Sequence, residues 1–168
     1  MPRERAVIFV TVVAQKAYDR MIKAVDEWAG REGRTDVFAQ IGPAEYTPRH
    51  VAHTGFLEPP QFAERAKAAS VIVAHAGMGS IITALTMGKP ILVMPRLGDL
   101  RETRNDHQVA TAKRLSELGK VAVAMDEREL IERLDRLDEL TSTGALGPYA
   151  QDSLIAAVRN VVFASQDR

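Results

Sequence analysis

The sequence predicts a single doubly wound α/β domain with a mainly parallel sheet. Three observations lead there: short apolar runs rich in β-branched residues recur along the chain, most are separated by stretches of helical periodicity, and glycine, proline or polar turn residues bound them. The 168 residues, 46% apolar and 26% charged, suffice to bury one core and leave no room for a second full domain. The domain is expected over residues 1–164, with 165–168 as a polar tail.

The strands come first. Ala6 to Val13, Val37 to Ile41, Val71 to Ala74, Ile91 to Met94 and Val121 to Ala124 are short and apolar throughout, as strands buried on both faces must be. Val51 to Phe56 is a further candidate with poor alternation, interrupted by His53. Among the helices, Tyr18 to Ala29 carries Tyr18, Met21, Ile22, Val25, Trp28 and Ala29 at three- and four-residue steps, with Gly30 where a C-terminal cap is expected. Helices are also predicted at Pro60 to Ala69, Ser80 to Met87, Asp106 to Leu118, Glu127 to Leu137 and Tyr149 to Phe163. Alternation of this kind implies right-handed crossovers and ligand binding beyond the carboxyl ends of the strands, in the loops after Val13, Ala74, Met94 and Ala124.

Composition narrows the function. Twenty-two basic residues balance 22 acidic ones, so no overall field draws the chain to nucleic acid or an anionic membrane. With no cysteine, disulfides and thiolate metal sites are excluded, which suits a reducing cytoplasm. The first apolar run is too short to span a membrane and no small-residue cleavage site follows it, so a soluble chain is expected.

The segment Val71 to Leu85 reads as buried strand, glycine turn and helix start in immediate succession, the outline of an anion site. Gly77 and Gly79 tolerate positive φ and close ligand approach, and Ser80 is placed to cap a helix whose free amides favour a phosphate. A tight connection in which the glycines serve packing alone explains them equally well. His75 follows the strand, where an imidazole either meets a phosphate, works as acid or base, or simply holds the turn.

A second constellation is Gly88-Lys89-Pro90, the strand to Met94, Pro95, a polar loop from Arg96 to Arg104, and then Asn105-Asp106-His107-Gln108 opening a helix on the ligand side. Asn105 and Asp106 serve either as N-caps or as ligand contacts; His107 and Gln108 have less need to be there for folding. Arg96, Arg101 and Arg104 either grip a diphosphate or the carboxylate of a uronate, or belong to a solvated mixed-charge loop or partner surface.

Together, His75-Ala76-Gly77-Met78-Gly79-Ser80, Gly88-Lys89-Pro90 and Asn105-Asp106-His107-Gln108 resemble the C-terminal domain of glycosyltransferase family 28. The resemblance runs from Val10-Thr11-Val12 and Tyr18-Asp19-Arg20 through Gln40-Ile41-Gly42 to Leu118-Gly119. It implies the Rossmann-like donor-binding half of a GT-B enzyme. It is similar to stand-alone donor subunits of two-part N-acetylglucosamine transferases and of bacterial exopolysaccharide enzymes. By position it puts Gly77, Met78, Gly79, Ser80 and Thr83 against a UDP-sugar, with Asn105, His107 and Gln108 near its sugar and His75 lining the cleft as the catalytic candidate. The acceptor-activating base is expected from the other half. The resemblance further implies a membrane-attached partner holding a lipid-linked sugar acceptor, recruitment of this chain to the inner face of the membrane by that partner, and no metal or other cofactor. Two positions depart from the pattern: Val13-Ala14-Gln15-Lys16 replaces a glycine-threonine loop, and Thr83 replaces a glutamate that holds ribose.

The function expected is therefore the donor-binding catalytic subunit of a UDP-sugar-dependent glycosyltransferase in lipid-linked polysaccharide or oligosaccharide synthesis. A non-catalytic companion that stabilises or regulates a transferase is the alternative, supported by the two departures. A dinucleotide binder is disfavoured because no Gly-x-Gly-x-x-Gly follows the first strand, and a serine hydrolase because Ser80 lies outside a Gly-x-Ser-x-Gly elbow.

Overall fold

The computed structural model describes residues 6–12, 16–103, 105–117, 121–141, 156–157 and 159–160. Within them the chain runs β1 (Ile8–Thr11), α1 (Asp19–Arg31), β2 (Val37–Gln40), β3 (Ala52–Thr54), α2 (Pro59–Ala68), β4 (Val71–His75), α3 (Met78–Thr86), β5 (Ile91–Met94), α4 (His107–Glu117), β6 (Val121–Val123), α5 (Glu127–Asp135) and α6 (Leu137–Thr141). The six strands form one sheet, ordered β3-β2-β1-β4-β5-β6 and parallel throughout. Strand order reverses between β1 and β4, which opens a crevice beyond their carboxyl ends.

Because β1, β4 and β5 are buried on both faces, successive side chains feed two cores. One core packs Ile8, Val10, Val73 and Met94 against Tyr18 at the start of α1, Ile22 and Trp28 within it, and Leu130 and Leu134 of α5. The other packs Phe9, Ile72, Ala74 and Val93 against Ala66 of α2, Ile81 and Leu85 of α3 and Leu115 of α4. Val51 to Phe56 does contain a strand, the short edge strand β3.

Several boundaries differ from expectation. Gly30 does not end α1. The helix continues to Arg31, Glu32 is its C-cap, and Gly33 takes the left-handed turn at φ +61°. Gly30 is glycine for another reason: a Cβ there would lie 2.5 Å from the His50 ring. The helix predicted from Glu127 to Leu137 breaks at Arg136 into α5 and α6. Gly88 does stop α3, at φ +66°, with Lys89 donating back to the Ala84 carbonyl. Of the helix predicted at 149–163, residues 156, 157, 159 and 160 are helical, and the remainder lies outside the described residues, as do Val13 to Gln15, Leu118, Gly119 and the tail at 165–168.

The connection from β2 to β3 is held by one buried carboxylate. Asp26, on the inward face of α1 and fully enclosed, accepts hydrogen bonds from the Tyr46 hydroxyl (2.6 Å) and from the amides of Arg49 (2.9 Å), His50 (2.8 Å) and Val51 (3.1 Å). Burial works to raise its pKa, but those four donors outweigh it and hold the carboxyl below the ordinary aspartate value. The same contact pushes the Tyr46 hydroxyl up to about 12.

Candidate functional site

The sheet delivers β4 to the crevice with His75 as its last residue rather than the first of the turn. Ala76 and Gly77 then reverse the chain into α3, which begins at Met78 with Gly77 as N-cap. Ser80 therefore does not cap this helix. It lies within the first turn, buried, and with Met78 and Gly79 it supplies amides that have no earlier carbonyl in the helix to bond. The partial positive charge of a helix N-terminus is presented there, as an anion site requires.

Neither glycine of the turn has positive φ; Gly77 is extended at φ −94°, ψ 144°, and Gly79 is helical. Their lack of side chains is a matter of space. A Cβ on Gly77 would overlap the imidazole of His75, 2.8 Å from Nε2 and 2.9 Å from Nδ1, so the ring lies across the turn where that side chain would be. A Cβ on Gly79 would meet nothing within 4 Å, because Gly79 faces a cavity.

That cavity, of about 420 Å³, is lined on one side by His75, Gly77, Gly79, Ser80 and Thr83 and on the other by Phe56, Leu57, Pro59 and Phe62, with Gln40 from the end of β2 also in its wall. It has a polar end at the helix start and an apolar wall supplied by the segment after β3. Residues 56 to 62 and Gln40 were not candidates from sequence, since an exposed Phe56 between Gly55 and Pro59 gives no periodic signal. One clue was present: Thr11 and Gln40 are polar residues closing otherwise apolar strands, and they are partners in the register.

The structure brings Gln108 to His75. Its Oε1 accepts from the Arg96 amide (3.0 Å), which orients the carboxamide so that Nε2 faces His75 Nδ1 at 3.4 Å. Asn105 closes a turn at the entry to α4: its Oδ1 accepts from the His107 amide at 3.0 Å, while the Asp106 carbonyl accepts the first bond of the helix, from the Ala110 amide. Asp106 does not use its side chain as a cap but pins the preceding loop, accepting from the Gly98 amide at 2.9 Å. The His107 side chain is exposed.

The three arginines do not form one grip. Arg96 is 1% exposed and turned inward, with Nη1 donating to the carbonyls of Ala17 and Glu102 (3.1 Å each) and the guanidinium stacked 4.6 Å over the Tyr18 ring. The side chain is thus enclosed rather than standing out in a solvated loop, and its Nε and Nη2 have no hydrogen-bond partner among the described residues. Arg101 is exposed at a left-handed φ of 57°, and Arg104 lies outside the described residues, as does the Met78 side chain. What the sequence did not reveal is the staple behind the loop: Arg20 of α1 holds Glu102 (Nη2 to Oε1 2.9 Å, Nε to Oε2 3.2 Å), and Glu102 Oε1 accepts from the Leu97 amide at 3.0 Å. The loop after β5 is thus fixed to α1.

The family model for the glycosyltransferase family 28 C-terminal domain matches residues 7–153. Among solved structures, the fold is similar to the NMR solution structure of ALG13, at 17% identity over 95% of this chain and 98% of that one, with a TM-score of 0.63. It is also similar to the crystal structure of MurG from Acinetobacter baumannii (17% identity, 94% of this chain, 50% of that one, TM-score 0.60). A third similarity is to the glycotransferase of kitacinnamycin (21% identity, 98% of this chain, 41% of that one, TM-score 0.58). The chain therefore spans half or less of the latter two proteins and nearly all of ALG13. No curated protein matches it by sequence. Among the described residues no helix is long and apolar enough to cross a membrane.

Proposed function

Because the chain belongs to glycosyltransferase family 28, matching the model of its C-terminal domain over residues 7–153, we propose that it is the donor-binding part of a UDP-sugar-dependent glycosyltransferase. The observation that carries this reading is the cavity itself. A ring-sized apolar wall at Phe56, Leu57 and Phe62 faces the open start of α3, so one amphipathic ligand with a flat base and a diphosphate satisfies both ends. Placed so, the diphosphate meets the amides of Met78, Gly79 and Ser80, and the sugar extends toward Gln108 and the loop after β5.

In that arrangement the protein's contribution to transfer is positional and electrostatic. An acceptor hydroxyl attacks the anomeric carbon in line with the departing diphosphate, whose growing charge is stabilised by the helix amides. His75, held by Gln108, lines the donor cleft; the base that takes the acceptor proton comes from the acceptor-binding half. The scheme calls on no metal. We take that half to be a separate membrane-attached subunit presenting a lipid-linked acceptor, with this chain drawn to the cytoplasmic face by it.

Calorimetric titration with UDP and UDP-sugars tests the reading. Gly79→Leu projects a side chain into the cavity while removing a glycine from a helix, so it is expected to weaken UDP binding by about 30-fold or more with no fall in melting temperature. Equal affinity in the variant would move the donor elsewhere. One observation favours a second reading, a non-catalytic companion: Thr83 lines the cavity where a carboxylate could hold ribose, and a hydroxyl offers neither charge nor two acceptors. Loss of donor binding in the wild-type chain, both alone and with its partner, would support the companion.

A further inference from the structure

A phosphate at the start of α3 and a flat ring against Phe56 and Phe62 leave the polar atoms at the ends of β1 and β2 unexplained. Thr11 and Gln40 are partners in the parallel register, so their side chains leave the sheet on the same face. That is the face covered by α2 and α3, otherwise built from residues such as Phe9, Ile72 and Ile81. Thr11 is 0% exposed and Gln40 3%, and neither Thr11 Oγ1 nor Gln40 Oε1 has a hydrogen-bond partner. The large majority of buried polar atoms in native proteins are paired with protein, water or a bound ligand, so two adjacent orphans at a cavity wall call for a partner. Gln40 stands in the wall of the cavity, alongside Phe56, Leu57 and His75.

We propose that the carboxamide of Gln40 is the specificity-determining group of this cavity, hydrogen-bonding the amide or imide edge of the nucleotide base that lies against Phe56 and Leu57. The inference rests on the reading of the cavity as a donor-nucleotide site. An apolar wall accepts any base, since each has a flat apolar face. A carboxamide adds selection: it offers an acceptor and a donor side by side, the complement of a ring edge carrying N–H next to C=O, and rotation about its last torsion exchanges the two. Thr11, the register partner of Gln40, is fully enclosed behind the cavity wall with its own orphaned oxygen, so Gln40 is the polar group of the pair that the cavity exposes.

The test is titration of the full chain with UDP, CDP and ADP, comparing wild type with Gln40→Met and Gln40→Asn. Gln40→Met keeps the length and removes both hydrogen-bonding atoms; it is expected to weaken UDP binding by about tenfold, to narrow the difference between UDP and the other two, and to melt no lower than wild type because an unpaired buried carbonyl oxygen is gone. Gln40→Asn keeps the amide but withdraws it by one methylene, and should lose affinity in the same way, so the inference can be read even if the methionine variant folds poorly. Unchanged affinity and unchanged preference in either folded variant would overturn it while leaving the donor site standing. Failure of the wild-type chain to bind any of the three nucleotides, or binding indifferent to Gly79→Leu, would overturn the cavity reading and this inference with it.

Discussion

Asp26→Ala is expected to be among the most destabilising single substitutions in this protein, by about 3–5 kcal/mol, seen as a fall of roughly 10–15 °C in melting temperature. The carboxylate is fully enclosed and is the acceptor for four donors at 2.6–3.1 Å. Alanine removes all four bonds at once and leaves the amides of Arg49, His50 and Val51 under α1 without an acceptor, each a cost of about 1–3 kcal/mol before water relaxes the site. Against the roughly 5–15 kcal/mol that hold a domain together, that is a large fraction. A measured loss below about 1 kcal/mol would show that the segment from Tyr46 to Val51 is held by something else. The acid response follows with a definite sign. Since the folded carboxyl lies below its ordinary value of 3.8, its contribution is whole at neutral pH and fades as pH falls below that value toward the native one. The stability gap between wild type and Asp26→Asn should therefore shrink as pH is lowered through 4 toward 3, and a gap that stays constant over that range would contradict the assignment.

The second large effect is Gly77→Ala. The added methyl occupies the space of the His75 imidazole, so the ring must swing away from Gln108 and out of the line of the turn. The crowding is expected to cost about 1–3 kcal/mol of stability and, by displacing the wall of the cavity and the first turn of α3, to weaken UDP by more than about tenfold. A double-mutant cycle isolates the cause. In a His75→Ala background the ring is absent, and Gly77→Ala should then cost less than about half as much. The same penalty in both backgrounds would mean that backbone conformation at Gly77, and not the ring, makes glycine necessary there.

How much of this was legible depended on whether a residue's role was local. Strands such as Val71 to Ala74 and Ile91 to Met94 are apolar on both faces, and that pattern alone marks a covered parallel sheet. The glycine turn is a short-range event and was readable, though the reasons for the glycines were not: Gly77 and Gly30 yield to the imidazoles of His75 and His50, and such contacts have no sequence signature. Arg96 misled because a charged residue in a polar loop reads as solvated, whereas here an aromatic face and two carbonyls enclose it. The wall from Phe56 to Phe62 was missed for a related reason, since it follows a three-residue edge strand whose place beside β2 is decided by the distant anchor at Asp26.

The reversal of strand order between β1 and β4 bears also on how the chain folds. The two central strands meet across a separation of 63 residues, from Val7 to Ser70, whereas β4 and β5 are joined through α3 alone. Closing the longer loop carries more entropy, so local units such as β4-α3-β5 can form before the halves of the sheet zip together. Gln40 and His75 lie on opposite sides of that late seam. A ligand that touches both would resist its opening, and slowed amide exchange in β1 on adding UDP would register the nucleotide as a clasp between two independently nucleated halves.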